Sequence, residues 1–571
     1  MMVLKSMRTF SNILLFIIFL INVSDTTNAA SQDPIRAKNG MVVSASKLAS
    51  EVGCKILEKG GNAVDAAVAV GFALAVTYPA AGNLGGGGFM LIHLNDGTNT
   101  SIDYREIAPE ISSENMYLDS LGNPQFELSQ FGVSSSGVPG SVAGLIYALD
   151  NYGSLPLKDV IQPAIDLAEN GYELEFRLAE SFKYQIEYFN KYPSSKKVFT
   201  KDGLPYEEGE MFYQKDLAKT LKLIRDNGTN GFYKGETAQL IVDQISSDGG
   251  FITLKDLSSY KPVERTPIKT DYRGYEVITM GPPSGGGVTL IEMLNILENF
   301  NFNSDEWGSS SYIHKLVEAM KYAFADRSKH VGDPNFYNVP IDQLLSKEYA
   351  ATISQKIGDY AIPSENILPA DFYGIIESEE TTHYSVIDKY GNAVSTTTTI
   401  NSSFGSKVVV EGAGFLLNNE MDDFSIKPGV PNQFGLIGSD ANKIEPGKRM
   451  LSSMSPTIVL KNQKPFLITG TPGGSTISTI VLQVVMNVLD FNMDIQQAID
   501  MPRIHHQWLP DQIDYEKFGI SLDVKKALEE KGQIIGDIRT LGRVEGIIAD
   551  YNKNIFYGAT DPRGYGAAIG Y

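Results

Sequence analysis

Near residue 375 the chain changes character, and this change limits its architecture more than any single motif does. Upstream, from about 141 to 350, apolar residues recur at helical spacing over 142–151, 161–170, 215–226, 289–298 and 312–327, with short strands and proline turns between them. That half reads as mostly helical. Downstream, the acidic run Glu377-Ser-Glu-Glu380 meets Thr381-Thr-His-Tyr-Ser-Val-Ile-Asp388, rich in β-branched and aromatic residues, so a strand is predicted from Thr381. The turn Asp388-Lys-Tyr-Gly-Asn392 feeds a second strand over 393–400, which makes a hairpin. Strands at 458–460, 465–469, 546–550 and 555–558, with helices at 475–489 and 522–531, predict an α/β sandwich with helices over its sheets.

The first thirty residues stand apart from that fold. Lys5 and Arg8 precede an apolar run over 13–21, and small residues follow at Thr27, Ala29 and Ala30, the pattern of a secretory signal. The run stops at Asn22, short of the roughly 20 apolar residues that span a bilayer. Cleavage near Ala30 is expected to give a periplasmic or secreted chain of residues 31–571 with no stable membrane span. The one cysteine, Cys54, excludes an intramolecular disulfide and a thiolate metal cluster, and an exported chain without disulfides suits a bacterial periplasm. A net charge of −20 over 571 residues repels phosphate backbones, so nucleic acid is not an expected partner.

Helices are expected over 45–57 and 63–76, the second almost wholly apolar and therefore buried, with Cys54 in the core nearby. Gly85 to Gly88 run into a strand and not a helix, the wrong context for a dinucleotide site. They are expected to serve close backbone packing or a turn that needs positive φ. Met280-Gly-Pro-Pro-Ser-Gly-Gly-Gly287 leads into a helix and reads as a structural loop without assigned chemistry.

Three polar features remain. Strand alternation puts Thr397, Thr399 and Asn401 on one face, which alone reads as a solvent-facing strand. Gly470-Thr-Pro-Gly-Gly-Ser-Thr476 follows a strand and enters a helix, so Gly473 and Gly474 offer backbone N–H groups to an oxyanion. Gly474 stands where a phosphate-binding loop needs lysine, which disfavours nucleotides. Asn418-Asn-Glu-Met-Asp-Asp423, Leu451-Ser-Ser453 and Arg105 read singly as surface loops; brought together they suit both charged ends of an α-amino acid. His93, His314, His330, His383, His505 and His506 have no metal-ligand spacing, and no GxSxG elbow occurs. No cofactor is expected.

The Thr381–Asp388 string, with Asn418-Asn-Glu-Met-Asp-Asp-Phe424, Leu451-Ser-Ser-Met-Ser-Pro456 and Pro472-Gly-Gly474, resembles the γ-glutamyltransferase (γ-glutamyltranspeptidase) family. The resemblance extends through Asp65-Ala-Ala67, Gly85-Gly-Gly-Gly-Phe89, Asp103-Tyr-Arg-Glu106, Gly137-Val-Pro-Gly140, Tyr322-Ala-Phe-Ala-Asp-Arg327 and Asp561-Pro-Arg563. It implies the αββα sandwich of the N-terminal-nucleophile hydrolases, made as one precursor that cuts itself between Glu380 and Thr381. The parts would be a large subunit, 31–380, and a small one, 381–571, associated as a heterodimer. It further implies Thr381 as the nucleophile, Thr399 as its hydrogen-bond partner, and Gly473 and Gly474 as the oxyanion site. Arg105, Ser452 and Ser453 would bind the donor α-carboxylate, and Asn401, Glu420 and Asp423 its α-amine. Glutathione and other γ-glutamyl compounds are the implied donors, with water, amino acids or peptides as acceptors.

The loop 428–443 resembles the lid of bacterial members, with Phe434 where a tyrosine often stands, so its closure is expected to be looser. Two rivals remain. An acylase of the same superfamily is disfavoured by Arg105 with Ser452 and Ser453, which suit a free α-carboxylate. An exported solute-binding protein would need no chain break.

Overall fold

The strands Thr382–Asp388 and Ala393–Thr399 pair antiparallel with Thr382 opposite Thr398, the hairpin that the Gly391 turn predicts. They form the middle of a seven-stranded sheet. Its order is Ala567–Gly570, Gly40–Ser44, Thr382–Asp388, Ala393–Thr399, Gly87–His93, Asn99–Asp103 and Val263–Arg265. A second sheet of seven runs Ile35–Ala37, Ile555–Thr560, Glu545–Asp550, Lys464–Gly470, Thr457–Lys461, Tyr275–Thr279 and Ile268–Tyr272. Each draws strands from both sides of the expected cut. The computed structural model describes residues 31–367 and 381–571 apart from 431, 434, 435 and 437, with Pro34–Tyr571 as one compact unit. The expected signal over 1–30, Glu380 and Phe434 therefore lie outside the described residues.

Alternation along the strands builds four layers. Met41, Val43, Leu91, Ile387 and Ala393 of the first sheet meet Ile278, Ile458, Ile468 and Ile547 of the second in a core between the sheets. The intervening residues Val42, Met90, Ile92, Tyr384, Val386 and Val394 face outward into a helical core. There the helix Ala63–Thr77 has all fifteen residues buried, and its start is closed by Asn62 and Asp65 in a reciprocal cap. Cys54 sits in the same core, where burial pushes its thiol up to about 11, so it stays protonated and inert. The helices Gly285–Leu297, Ser310–His330 and Thr476–Leu489 cover the other sheet. Helix, sheet, sheet and helix are thus stacked in that order, the αββα sandwich.

Two local readings change. None of Gly85 to Gly88 has positive φ. Their service is close approach: a Cβ on Gly86 would lie 2.1 Å from the Thr399 carbonyl oxygen. The threonine strand faces no solvent, since Thr396 to Thr399 are each at most 6% exposed. A central strand of a covered sheet is dry on both faces, which alternation alone cannot distinguish from a half-wet one. Among the described residues no helix is long and apolar enough to cross a membrane.

Candidate active site

A cleft of about 550 Å³ opens at the end of the central hairpin, and nine of the ten expected site residues line it. They are Arg105, Thr381, Thr399, Asn401, Glu420, Asp423, Ser452, Ser453 and Gly474. Gly473 is the tenth, one peptide behind Gly474.

The hairpin supplies one wall. Pairing of Thr382 with Thr398 carries Thr381 to the level of Thr399, and both are buried at the cleft floor. Thr399 Oγ1 accepts the N–H of Asn401 at 2.8 Å, which fixes the hydroxyl at the strand end. Asn401, at φ 73°, turns the chain out of the sheet and donates its Nδ2 to the Asn419 carbonyl at 2.9 Å. Two residues along from Thr381, His383 lies between the sheets, its Nδ1 2.9 Å from Thr397 Oγ1 and its Nε2 3.0 Å from Ser385 Oγ. Burial pushes this imidazole down to about 3, so it is neutral. The wall carries hydroxyls and no side-chain charge.

The loop after the strand Lys464–Gly470 supplies the floor's second edge. Gly473 and Gly474 adopt φ of 141° and 51°, in the left-handed half of backbone space where glycine is at ease. Their carbonyls accept the N–H groups of Thr476 and Ile477 at 2.9 and 3.3 Å, opening the helix Thr476–Leu489. Among the described residues neither glycine N–H has an acceptor. Donors at a helix start without acceptors form a ready site for a developing oxyanion.

Charge gathers on the opposite wall. Arg105, fully buried, donates from Nη1 to Glu420 Oε1 and from Nη2 to Asp423 Oδ2, and its Nε and Nη2 also reach the carbonyls of Met450 and Leu451 at 3.3 and 3.2 Å. Glu106 lies 3.5 Å from the same guanidinium. Burial pushes Glu106 up to about 8 and raises the carboxyls of Glu420 and Asp423, against the pull of Arg105. Three acids thus crowd one buried guanidinium, and the Arg327 charge also acts on Asp423. The expected carboxylate binder, Arg105, and the expected amine binders, Glu420 and Asp423, are paired with each other.

The remaining parts are set by loops from far along the sequence. Ser452 Oγ accepts the Met454 N–H at 3.1 Å, and Ser453 Oγ accepts from Arg327 Nη2 at 2.9 Å. The 280–287 loop is structural, as its sequence suggests: Ser284 Oγ donates to the Met454 carbonyl at 2.5 Å, and a Cβ on Gly286 would sit 1.9 Å from the Ser453 carbonyl oxygen. Asn442 joins the 418–424 and 451–453 loops, its Oδ1 accepting the Leu451 N–H at 2.9 Å and its Nδ2 donating to the Asp423 carbonyl at 2.7 Å. Asn432, Leu436 and Gly438 of the 428–443 loop also line the cleft. Arg327 and Asn442 escaped the sequence reading as site residues. Arg327 stands in a string that carried only the family resemblance, and Asn442 has no motif around it.

Two seven-stranded antiparallel sheets between helical layers, with a threonine at the strand end in one cleft with the Gly473–Gly474 loop, define an N-terminal-nucleophile hydrolase fold. A cephalosporin acylase from Bacillus halodurans shares it, at a TM-score of 0.85 and 30% identity over 96% of this chain and 99% of that one. The gamma-glutamyltranspeptidase family model matches residues 49–571, and the chain belongs to that family. The glutathione hydrolase proenzyme of Escherichia coli is 50% identical over 93% of this chain and 91% of its own. A gamma-glutamyltranspeptidase chain from Helicobacter pylori matches at 48% identity and a TM-score of 0.57, covering 60% of this chain and 97% of that one. The chain is accordingly an enzyme of γ-glutamyl transfer and glutathione hydrolysis.

Proposed function

We propose that the chain is an exported precursor, that Thr381 becomes its nucleophile when the chain cuts itself after Glu380, and that residues 31–380 and 381–571 remain together as a heterodimer. The single observation that carries this reading is the convergence of nine expected residues, from Arg105 to Gly474, on one cleft. The Escherichia coli relative is named a proenzyme, which agrees with a cut. So does the Helicobacter pylori chain, which is nearly all matched by a share of this one close to that of residues 31–380.

In the proposed cycle the freed α-amine of Thr381, a group that ordinarily titrates at about pH 7.7–8.0, takes the Oγ proton as Oγ bonds to the γ-carbonyl carbon of a glutamyl donor. Thr399 holds the hydroxyl in line. The Gly473 and Gly474 N–H groups receive the oxyanion. As the C–N bond breaks, the ammonium returns its proton to the departing nitrogen, leaving a γ-glutamyl ester on Thr381. Water or an amino-acid amine then attacks that ester, and its proton passes through the same amine.

Donor recognition uses the charged wall. The donor α-ammonium enters among Asn401, Glu420, Asp423 and the excess acid beside them, while its α-carboxylate takes the Arg105 guanidinium and the Ser452 and Ser453 hydroxyls. The zwitterion replaces contacts that Arg105 and the acids make with each other, so no charge is stranded on binding. Glutathione and simple γ-glutamyl amides fit this pattern. An α-glutamyl peptide, with its α-carboxylate consumed, does not.

Purified precursor should resolve on a denaturing gel into two bands, and sequencing of the smaller should begin at Thr381. Any other first residue removes Thr381 from its role, and a single band in active protein removes the cut.

A further inference from the structure

Arg327 lines the donor cleft but has no part in the cycle above. It stands in the last turn of the helix Ser310–His330, where the helix dipole favours a cation, and it is only 3% exposed. The glycine loop packs closely against it, since a Cβ on Gly285 would lie 3.0 Å from Arg327 Nε. Its Nη2 donates to Ser453 Oγ at 2.9 Å.

A guanidinium has donors and no acceptor, whereas a serine hydroxyl has one proton and two lone pairs. Ser453 Oγ must therefore accept from Arg327, and its single proton must point elsewhere. Among the described residues that proton has no acceptor. Ser452 is prepared in the same sense, because its Oγ accepts the Met454 N–H at 3.1 Å. Two adjacent hydroxyls are thus primed to donate, one for each oxygen of a carboxylate, and a charged donor behind a hydroxyl strengthens the bond it gives.

We propose that Arg327 is a positioning residue that turns the Ser453 hydroxyl into a hydrogen-bond donor for the α-carboxylate of the γ-glutamyl substrate; this rests on the donor-site reading above. Arg327 acts through Ser453 and does not itself hold the carboxylate. Loss of Arg327 frees Ser453 to turn its proton onto a neighbouring oxygen and present a lone pair to an anion. Binding weakens while the nucleophile and oxyanion loop keep their geometry.

The test is a double-mutant cycle in mature full-length protein, with Arg327→Gln, Ser453→Ala and the double variant, following kcat and KM for a γ-glutamyl anilide. Arg327→Gln is expected to raise KM about tenfold with kcat within about twofold, and to add little in the Ser453→Ala background. Should Arg327→Gln fail to mature, the same cycle with Arg327→Lys decides, its point charge replacing the planar fork and giving a KM rise of about threefold that also disappears without the Ser453 hydroxyl. An arginine effect that persists in full in the Ser453→Ala background makes Arg327 a direct ligand and overturns the proposal. A fall in kcat at unchanged KM also overturns it. A Ser453→Ala variant with unchanged KM is a different failure, because it removes Ser453 from the donor site and with it the reading on which the proposal rests.

Discussion

The two walls of the cleft are built from opposite materials. The hairpin wall presents the hydroxyls of Thr381 and Thr399, backed between the sheets by Thr397 and a neutral His383. The facing wall holds Arg105, Glu106, Glu420 and Asp423 within one ion-pair cluster. The difference follows from their proposed tasks. A threonine hydroxyl attacks when a nearby base is unprotonated, and a dry neutral wall keeps the pKa of a newly made α-amine near the working pH. Selecting a zwitterion requires fixed charges of both signs, which survive burial only by pairing. The walls also differ in assembly: the hairpin is local, whereas the charged cluster joins residues more than 300 positions apart.

The comparison breaks first at Thr381. Thr381→Ala should leave a folded, uncut chain with activity lost by several orders of magnitude, because cutting and turnover share one hydroxyl. Its melting temperature should stay within a few degrees of an uncut reference, since no charge is disturbed. Gel analysis, a thermal melt and a rate assay check this together. Normal cutting in the alanine variant would end the assignment.

Arg105→Ala should act in the complementary way. KM for γ-glutamyl donors is expected to rise by roughly ten- to a hundredfold, the effect of losing a charge-assisted pair. Stability should fall by about 3–5 kcal/mol, because Glu420 and Glu106 are left buried without their guanidinium and Asp423 keeps only the charge of Arg327. Self-cleavage should continue, and steady-state kinetics with the two-band gel read both effects. Loss of cutting at the same rate as loss of donor binding would mean that the walls are one unit.

The hairpin wall was legible in sequence for the same reason that it is rigid. Asp388-Lys-Tyr-Gly-Asn392 and the β-branched runs on either side specify the pairing within twenty residues, and the structure shortens the first strand by only one residue, to Thr382. Its dryness was not legible, because the covering layers come from the helix Ala63–Thr77 on one side and from Ile458, Ile468 and Ile547 of the facing sheet on the other, far away in the chain. The strands Gly40–Ser44, Asn99–Asp103 and Ala567–Gly570 of the same sheet escaped notice for the same reason. Family strings supplied Arg105, Glu420 and Asp423 as a set, but not their mutual pairing. Charge patterns give composition, whereas convergence requires the fold. Arg327 shows the limit most plainly: a helical arginine on an amphipathic stretch carries no local sign that its guanidinium reaches Ser453 across 126 positions.

The smallest expected effect tests whether the hairpin wall is as neutral as its geometry requires. Burial alone lowers the His383 imidazole from 6.5 to about 3. In the unfolded chain the ring takes up a proton near its usual value, so between pH 6.5 and 3 the unfolded state binds the proton and the folded state does not. Stability contributed by this group therefore falls on acidification through that window and is fully present above it. His383→Gln removes the titration while leaving a side chain able to reach one of the two hydroxyls at Thr397 and Ser385. From about pH 7.5 to about 4.5 the parent should lose roughly 2–5 °C of melting temperature more than the variant does, with the shared contribution of His505 cancelling in the difference. Parallel pH profiles would show that the ring titrates alike in both states. The hairpin wall would then carry a positive charge in mild acid, and repulsion from that charge would oppose protonation of the Thr381 amine.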